Sequence, residues 1–422
     1  MNVVGLIVEY NPLHNGHLYH FQRSKEVTEA EAVVVVMSGN FLQRGEPALV
    51  NKWARAKMAL AIGADLVFEL PYVYATQRAR YFAFGAVSLL NQLPFVTHLC
   101  FGSESGEMDQ LKKIANLLAD EPPAFQQVLR QEMEKGTSYP SAYARAILAS
   151  LPNEAELHSL VSQPNNILAL HYLLALKKLN SKIEARTIKR EKSGYHDEQF
   201  KDEKIASATS IRKALFATKE PNWLEVKSYL PESTLAILQE EYDAGRGLIS
   251  WEDYYSYILH TFFSQSPAHL RQIYEMEEGI EHRFKQKILE MTSVKQLIHL
   301  VKTKRYTWNR IQRIMVHTLA QFTKEEAKSL QLEKGVQYLR LLGYSKRGQA
   351  LLNQYKKELA IPLISAIRKE HPPMLDWDIK ASLLHSLAYR PEASFSARKR
   401  EVSQPPISWV SGQDNLRHPE SY

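Results

Sequence analysis

At 422 residues the chain is long enough for two to three domains, given roughly 150 residues for each, and its 45% hydrophobic and 23% charged residues exclude a disordered or collagen-like polymer. Apolar runs such as Ala32 to Met37 fall far short of the ~20 residues that cross a bilayer, and Met1-Asn2-Val3-Val4 lacks the basic start of a secretion signal. The single cysteine, Cys100, excludes an internal disulfide and a multi-cysteine zinc site, so a cytoplasmic protein with no membrane partner is expected.

Val3 to Val8 reads as a buried strand, with further strands at Ala32 to Met37, Asp65 to Glu69, Val96 to Phe101 and Ile183 to Ile188. Helical spacing lies between them, most clearly at Lys52 to Ile62 and at Ile167 to Leu179, whose broad apolar surface suits packing on a sheet. This alternation predicts an α/β, Rossmann-like domain with a parallel sheet over residues 1–220. Beyond Pro221 strand signals fade and apolar residues recur every three to four positions, which predicts a mostly α-helical second domain over residues 221–390. From Pro391 the polar run through Pro405-Pro406 reads as a loosely held tail, residues 391–422.

The formal charge is +7, from 53 Lys and Arg against 46 Asp and Glu, and it is unevenly placed. Between Arg283 and Arg313 nine basic residues accompany one acid, Glu290, so this stretch holds +8 and the rest of the chain −1. Lys302, Lys304, Arg305, Arg310 and Arg313 surround Tyr306 and Trp308, interleaving cations that pair with phosphates and rings that stack on bases. That is the footprint of a nucleic-acid surface; a solvated helix face with both rings turned inward is the competing arrangement.

The sharpest motif is His14-Asn15-Gly16-His17, which follows the first strand and Glu9-Tyr10-Asn11-Pro12 and opens a helix. In a parallel sheet, ligands bind beyond the carboxyl ends of the strands, where a helix N-terminus favours phosphate. Gly16 lets a nucleotide approach the backbone, and two imidazoles three residues apart can donate to phosphoryl oxygens as pyrophosphate leaves. His14, His17 and His20 are evenly spaced, yet they straddle a loop-to-helix junction with no Cys or acidic cluster beside them, so no metal site is assigned. A second element, Ser207-Ala208-Thr209-Ser210-Ile211-Arg212, opens a later helix; either its hydroxyls, Ser207 and Ser210 among them, and the Arg212 guanidinium close over the phosphates, or the hydroxyls simply cap that helix. Cys100 sits in an apolar strand, which suits an inert thiol better than an acyl carrier.

The pairing of His-x-Gly-His with a late Ser/Thr-rich Arg motif resembles the adenylyl-transferring nucleotidyltransferases of the HUP type. Gly5 to His17, Ser38-Gly39-Asn40-Phe41-Leu42-Gln43-Arg44-Gly45-Glu46-Pro47, Phe101-Gly102-Ser103-Glu104, Pro164-Asn165-Asn166-Ile167-Leu168 and Ile188-Lys189-Arg190 together resemble the bacterial tRNA(Met) cytidine acetate ligase family. The resemblance implies a nucleotidyltransferase domain followed by an RNA-binding helical one. Its implied activity is ATP-dependent activation of acetate to acetyl-adenylate, then acetyl transfer to the exocyclic amine of the wobble cytidine of elongator tRNA(Met), with Mg²⁺ assisting pyrophosphate departure.

Carried over to this sequence, the family's ATP contacts fall on Ile7, Val8, Glu9, Tyr10, Asn11, Pro12, Leu13, His14, Asn15, Gly16, His17, Leu18, Tyr19 and His20, then Gly102, Asn165 and Arg190. His14 and His17 are the expected catalytic pair, and Asn40, Gln43 and Arg44 form a candidate acetate or phosphate loop. The Ser207 to Arg212 element contains no lysine, so a lysine assisting pyrophosphate would be Lys189, Lys192, Lys204 or Lys213. A small-molecule adenylyltransferase of cofactor biosynthesis would use the same catalytic half but give the +8 stretch no role. A non-catalytic RNA-binding protein would have no use for His14, Gly16 and His17. Oligomeric state and the residues that read cytosine are left open by the sequence.

Overall fold

Val3–Val8 (β1) and Ala32–Ser38 (β2) are apolar almost throughout, the pattern of strands covered on both faces, and they pair in parallel from Val3↔Ala32 to Val8↔Met37. Within β2 the side chains alternate: Val34 and Val36 enter one core with Phe68 and Leu90, while Val33, Val35 and Met37 enter the other with Trp53 and Met58. The computed structural model describes residues 1–119, 122–150, 160–161, 163–190, 206–277 and 279–409. Leu66–Leu70 (β3) continues the sheet beside β2. The chain then returns through the helix Ala79–Asn91 to lay His98–Ser103 (β4) on the other side of β1, with Glu184–Lys189 (β5) beyond it. The sheet therefore reverses direction of growth between β1 and β4, and a crevice opens there at the carboxyl ends of the strands. The helices Asn15–Val27 (α1) and Lys52–Ala61 (α2) follow β1 and β2. The expected strands and helices are present with ends shifted by up to three residues. The helix expected from Ile167 starts at Pro164, because proline is tolerated in a first turn.

The mostly helical second part also returns strands to this sheet. Leu339–Ser345 (β6) pairs antiparallel with β3, and Leu363–Ile364 (β7) and Ile407–Trp409 (β8) pair with β6. Its helices share a core with the sheet: Ile311, Ile314 and Phe322 cluster with Val34 and Phe68. The expected boundary at residue 220 is thus spanned by one shared core.

The loosely held tail is corrected for residues 391–409. Pro391–Ser403 is a helix, and its Glu401 is buried, accepting from Lys52 Nζ at 2.9 Å and Arg340 Nη2 at 2.8 Å. Glu69 completes the group, 2.8 Å from Lys52 Nζ and 3.2 Å from Arg340 Nη1. Two cations and two carboxylates balance in the interior, an arrangement that polar composition does not reveal. Residues 410–422 lie outside the described residues. No described helix is long and apolar enough to cross a membrane.

Candidate active site

Beyond Val8 the chain turns through Glu9 to Leu13, with buried Tyr10 at φ 49°, and reaches His14, the N-cap of α1 in extended conformation. Gly16 N donates to His14 Nδ1 at 3.1 Å, and His14 N donates to His17 Nδ1 at 3.4 Å. The two rings, 3.8 Å apart and tilted by 31°, thus form a capping box built from imidazoles. A ring that accepts at Nδ1 carries its proton on Nε2, so the cap itself selects the tautomer. Burial, then the charges of Arg190 and Arg212, push His14 down to about 3. Burial, then His14, Arg190 and His20, hold His17 well below the usual histidine value. Both are neutral hydrogen-bond donors at pH 7. The N–H groups of Gly16 and His17 are already bonded within the cap, the latter to His14 O at 2.8 Å. The end of α1 therefore offers an anion its dipole and the imidazoles.

The other residues carried over by resemblance gather around this turn. Ile7 and Val8 end β1; Asn11 is buried, its Oδ1 accepting from Leu49 N at 2.7 Å; Asn15 Nδ2 donates to Ser228 O at 2.9 Å. Pro12 and Leu13 are buried in the turn, while Leu18, Tyr19 and His20 lie half-buried on α1. Gly102 in β4 and Arg190, one residue beyond β5, lie side by side: a Cβ on Gly102 would be 3.3 Å from Arg190 Cγ and 3.9 Å from His20 Cδ2. Asn165 is not the helix cap. Its N and Nδ2 both donate to Glu104 Oε1, at 3.1 and 2.7 Å, and Asn166 N donates to Glu104 Oε2 at 2.8 Å, so Glu104 supplies the negative charge favoured at that helix start. Ser207 caps the helix Ala208–Leu215 by accepting from Ser210 N at 3.0 Å, and Ser210 Oγ donates to Ser207 O at 2.9 Å. Lys189 is exposed at the end of β5; Lys192 and Lys204 lie outside the described residues.

In the Ser38 to Pro47 loop, Gln43 N donates to Glu9 Oε1 at 2.8 Å, which brings this loop against the β1 turn. Asn40 does not join it: Asn40 is buried, and its Oδ1 accepts from Lys52 N at 2.7 Å, because the start of α2 needs an acceptor there. Arg44 is half-buried, its carbonyl accepting from Gln312 Nε2 at 3.2 Å.

The chain matches the HIGH Nucleotidyl Transferase family over residues 1–401. It is 43% identical over 411 residues to a tRNA(Met) cytidine acetate ligase of Bacillus licheniformis, covering 97% of this chain and 98% of the relative. It is 41% identical over 408 residues to one of Geobacillus sp. (strain WCH70), covering 96% and 100%. The chain belongs to the tRNA(Met) cytidine acetate ligase family. A solved member, Thermotoga maritima TmcAL in its apo form, superposes with a TM-score of 0.89 at 35% identity over 97% of this chain and 99% of that one. The same protein bound with alpha-thio ATP gives 0.88 at 34%, over 97% and 100%.

Against the family's α/β scaffold, the basic segment needs correction. Lys302 and Lys304 are exposed and Arg305 half-buried. Arg313 is buried, bonded through Nε and Nη2 to Glu275 at about 3.0 Å; burial alone would raise Glu275, but Arg313 and Arg78 hold it at about 2. Arg310 donates to Glu277 Oε2 at 3.1 Å and lies over Tyr306. The two rings expected to stack on bases are turned inward: Tyr306 is buried, and Trp308 packs edge-on against His299 at 4.9 Å. A helix that packs on the sheet core must give its apolar face to that core.

Two arginines hold the site together, Arg212 by bonding the loops and Arg55 with no role expected from the sequence. Arg55, fully buried, donates to Glu9 O at 2.7 Å, Ser38 O at 3.0 Å and Val50 O at 3.2 Å, and also bonds Gly39 O, tying the ends of β1 and β2. Arg212 donates to Asn11 O and to Glu46 Oε2, each at 2.8 Å, joining the second motif to both loops. Arg212 stands in a motif visible in the sequence; nothing near Arg55 signals its role, because all its acceptors are carbonyls.

Proposed function

We propose that this protein is an ATP-dependent tRNA(Met) cytidine acetate ligase. The observation that carries the reading is the pair of neutral, mutually capped imidazoles, His14 and His17, at the reversal point of the sheet; the full-length relatives supply the substrates. In the first step a carboxylate oxygen of acetate attacks the α-phosphorus of ATP, the bond to the bridging oxygen breaks, and pyrophosphate leaves with the electron pair. His14 Nε2–H, the His17 ring and the dipole of α1 stabilise charge on the phosphates, with Arg190 at the rim. In the second step the cytidine N4 attacks the acetyl carbonyl carbon, AMP leaves, and one N4 proton passes to solvent. The amine is a poor nucleophile, so positioning carries this step.

Among the described residues no group of three His, Cys, Asp or Glu is set to hold a metal ion, and the nearby carboxylates of Glu46 and Glu104 are engaged by Arg212 and by the two asparagines. The described residues thus offer no cage, and Mg²⁺ would enter on the nucleotide's phosphates. Lys302, Lys304 and Arg305 are the backbone-gripping cations of this reading. With tRNA and ATP as substrates, the enzyme works in the cytoplasm. Incubation with ATP, Mg²⁺ and labelled acetate, with and without tRNA, tests it: label on acetylcytidine that requires ATP and disappears in His17→Ala is expected. Pyrophosphate release without labelled RNA would instead indicate a small-molecule adenylyltransferase, and neither activity with retained tRNA binding would indicate an RNA-binding protein.

A further inference from the structure

A cavity of about 190 Å³ opens between the catalytic loops and the basic helix, smaller than the roughly 300–1,000 Å³ of pockets that enclose drug-sized ligands and suited to one planar group. It adjoins the site above on two sides. Gln43 lines it and, through its backbone N–H, holds Glu9. Ile167 and His171 line it from the helix whose first turn carries Asn165.

One wall is aromatic. Tyr139 and Tyr143 lie 5.7 Å apart at 32°, and Tyr143 and His171 5.3 Å apart at 37°, giving a row of mutually tilted rings. Burial, then the charge of Arg80, brings His171 down to about 4, so this ring is neutral at pH 7 and adds no charge to the wall. Guanidinium groups also line the cavity, from Arg78, Arg80, Arg305, Arg310 and Arg313, with Glu277 the carboxylate among the described lining residues. Among the described residues Glu275 pairs with Arg78 and Arg313, and Glu277 with Arg310. Asn309, also lining the cavity, carries both a donor and an acceptor for a base edge.

We propose that this cavity receives the unstacked wobble cytosine, with Tyr139 as its stacking platform and Arg80 and Arg305 on the phosphates that flank it. The inference rests on the acetylation reading above. Enzymes that act on a base take it out of the stack, and RNA bases are held on aromatic rings with arginine on the backbone. From this cavity N4 reaches the acetyl-adenylate past Gln43; the new N–C bond forms as the C–O bond to AMP breaks, AMP takes the electron pair and N4 loses a proton to water.

Two readouts separate the cavity from the adenylation site: acetate-dependent ATP–pyrophosphate exchange and acetyl transfer to purified elongator tRNA(Met). Tyr139→Ala is expected to lower kcat/KM for tRNA by about five- to a hundred-fold, the range of one base–aromatic stack, a larger deficit than in exchange. Tyr139→Phe should restore transfer, and Arg80→Ala should raise the KM for tRNA. Equal deficits in exchange and transfer, or normal transfer in Tyr139→Ala, would overturn the proposal. Absence of exchange in the wild-type protein would sink the acetylation reading instead. The cavity is then judged by tRNA binding, where a raised Kd in Tyr139→Ala supports it and an unchanged Kd overturns it.

Discussion

His14 uses one ring for two purposes. Its Nδ1 ends α1 by accepting from Gly16 N, and the same bond leaves a proton on Nε2, where a phosphate oxygen can accept it. His14→Asn separates these purposes, since an asparagine side chain also caps helices but lacks the distal donor. Pyrophosphate exchange in that variant should fall about 10²–10³-fold, the range for one lost oxyanion donor, with a melting temperature near that of the wild type. His14→Ala should lose the cap as well, costing about 1 kcal/mol more. Because burial and neighbouring arginines push His14 down to about 3, nitrogen NMR should find its ring neutral and protonated at Nε2 at pH 6; a ring titrating near 6.5 would contradict the assignment.

At the scale of elements, the Ser38 to Pro47 loop is where the catalytic half meets the helix Trp308–Ala320. Gly45 sits at φ +81°, and a Cβ there would fall onto Arg313 N and come within 2.7 Å of Arg313 Cα. Only glycine allows both the left-handed backbone and the approach. Gly45→Ala should destabilise the protein by at least about 1–3 kcal/mol, read by urea denaturation, and should weaken acetylation through displacement of Gln43. A variant with normal stability would mean that the loop is not seated on this helix. Arg55 acts at the same scale, since one guanidinium bonds carbonyls from the β1 turn, the end of β2 and the start of the loop.

The whole molecule is closed by its last described helix. Glu401 reaches Lys52 and Arg340 from 349 and 61 residues away, so Glu401→Gln removes one of the carboxylates that balance two buried cations. A loss of about 3–5 kcal/mol is expected, as when one member of a buried ion pair is removed, and a chain ending at residue 390 should melt lower still in calorimetry. Acid should also unfold the molecule early. Burial brings His171, His317 and His385 down to about 4, whereas an unfolded histidine titrates near 6.5. The unfolded state therefore binds more protons below that value, so the stability these groups contribute is complete above pH 6.5 and erodes as pH falls toward 4. His371, raised by the Arg368 carbonyl and Asp376, has the opposite sign but is a single site. Melting temperatures should decline steadily from pH 7 to pH 5; a flat profile would contradict these buried neutral rings.

Local pattern was enough for the parallel strands, for α1 and α2 and for the placement of His14-Asn15-Gly16-His17 at a strand end, because each depends on residues within one turn or one strand. The same holds for the family motifs, which are short and contiguous. Three matters were decided by tertiary structure alone. Leu339–Ser345 joins β3 as an antiparallel strand, although its surroundings read as helical, since strand pairing is chosen by what lies across the ladder. Tyr306 and Arg313 turn inward because the core takes one face of the helix Trp308–Ala320 and of the bend that leads into it, and a charge count does not say which face. Glu401 and the helix that carries it are held by cations 349 and 61 residues away, and long-range charge pairing leaves no mark on local composition.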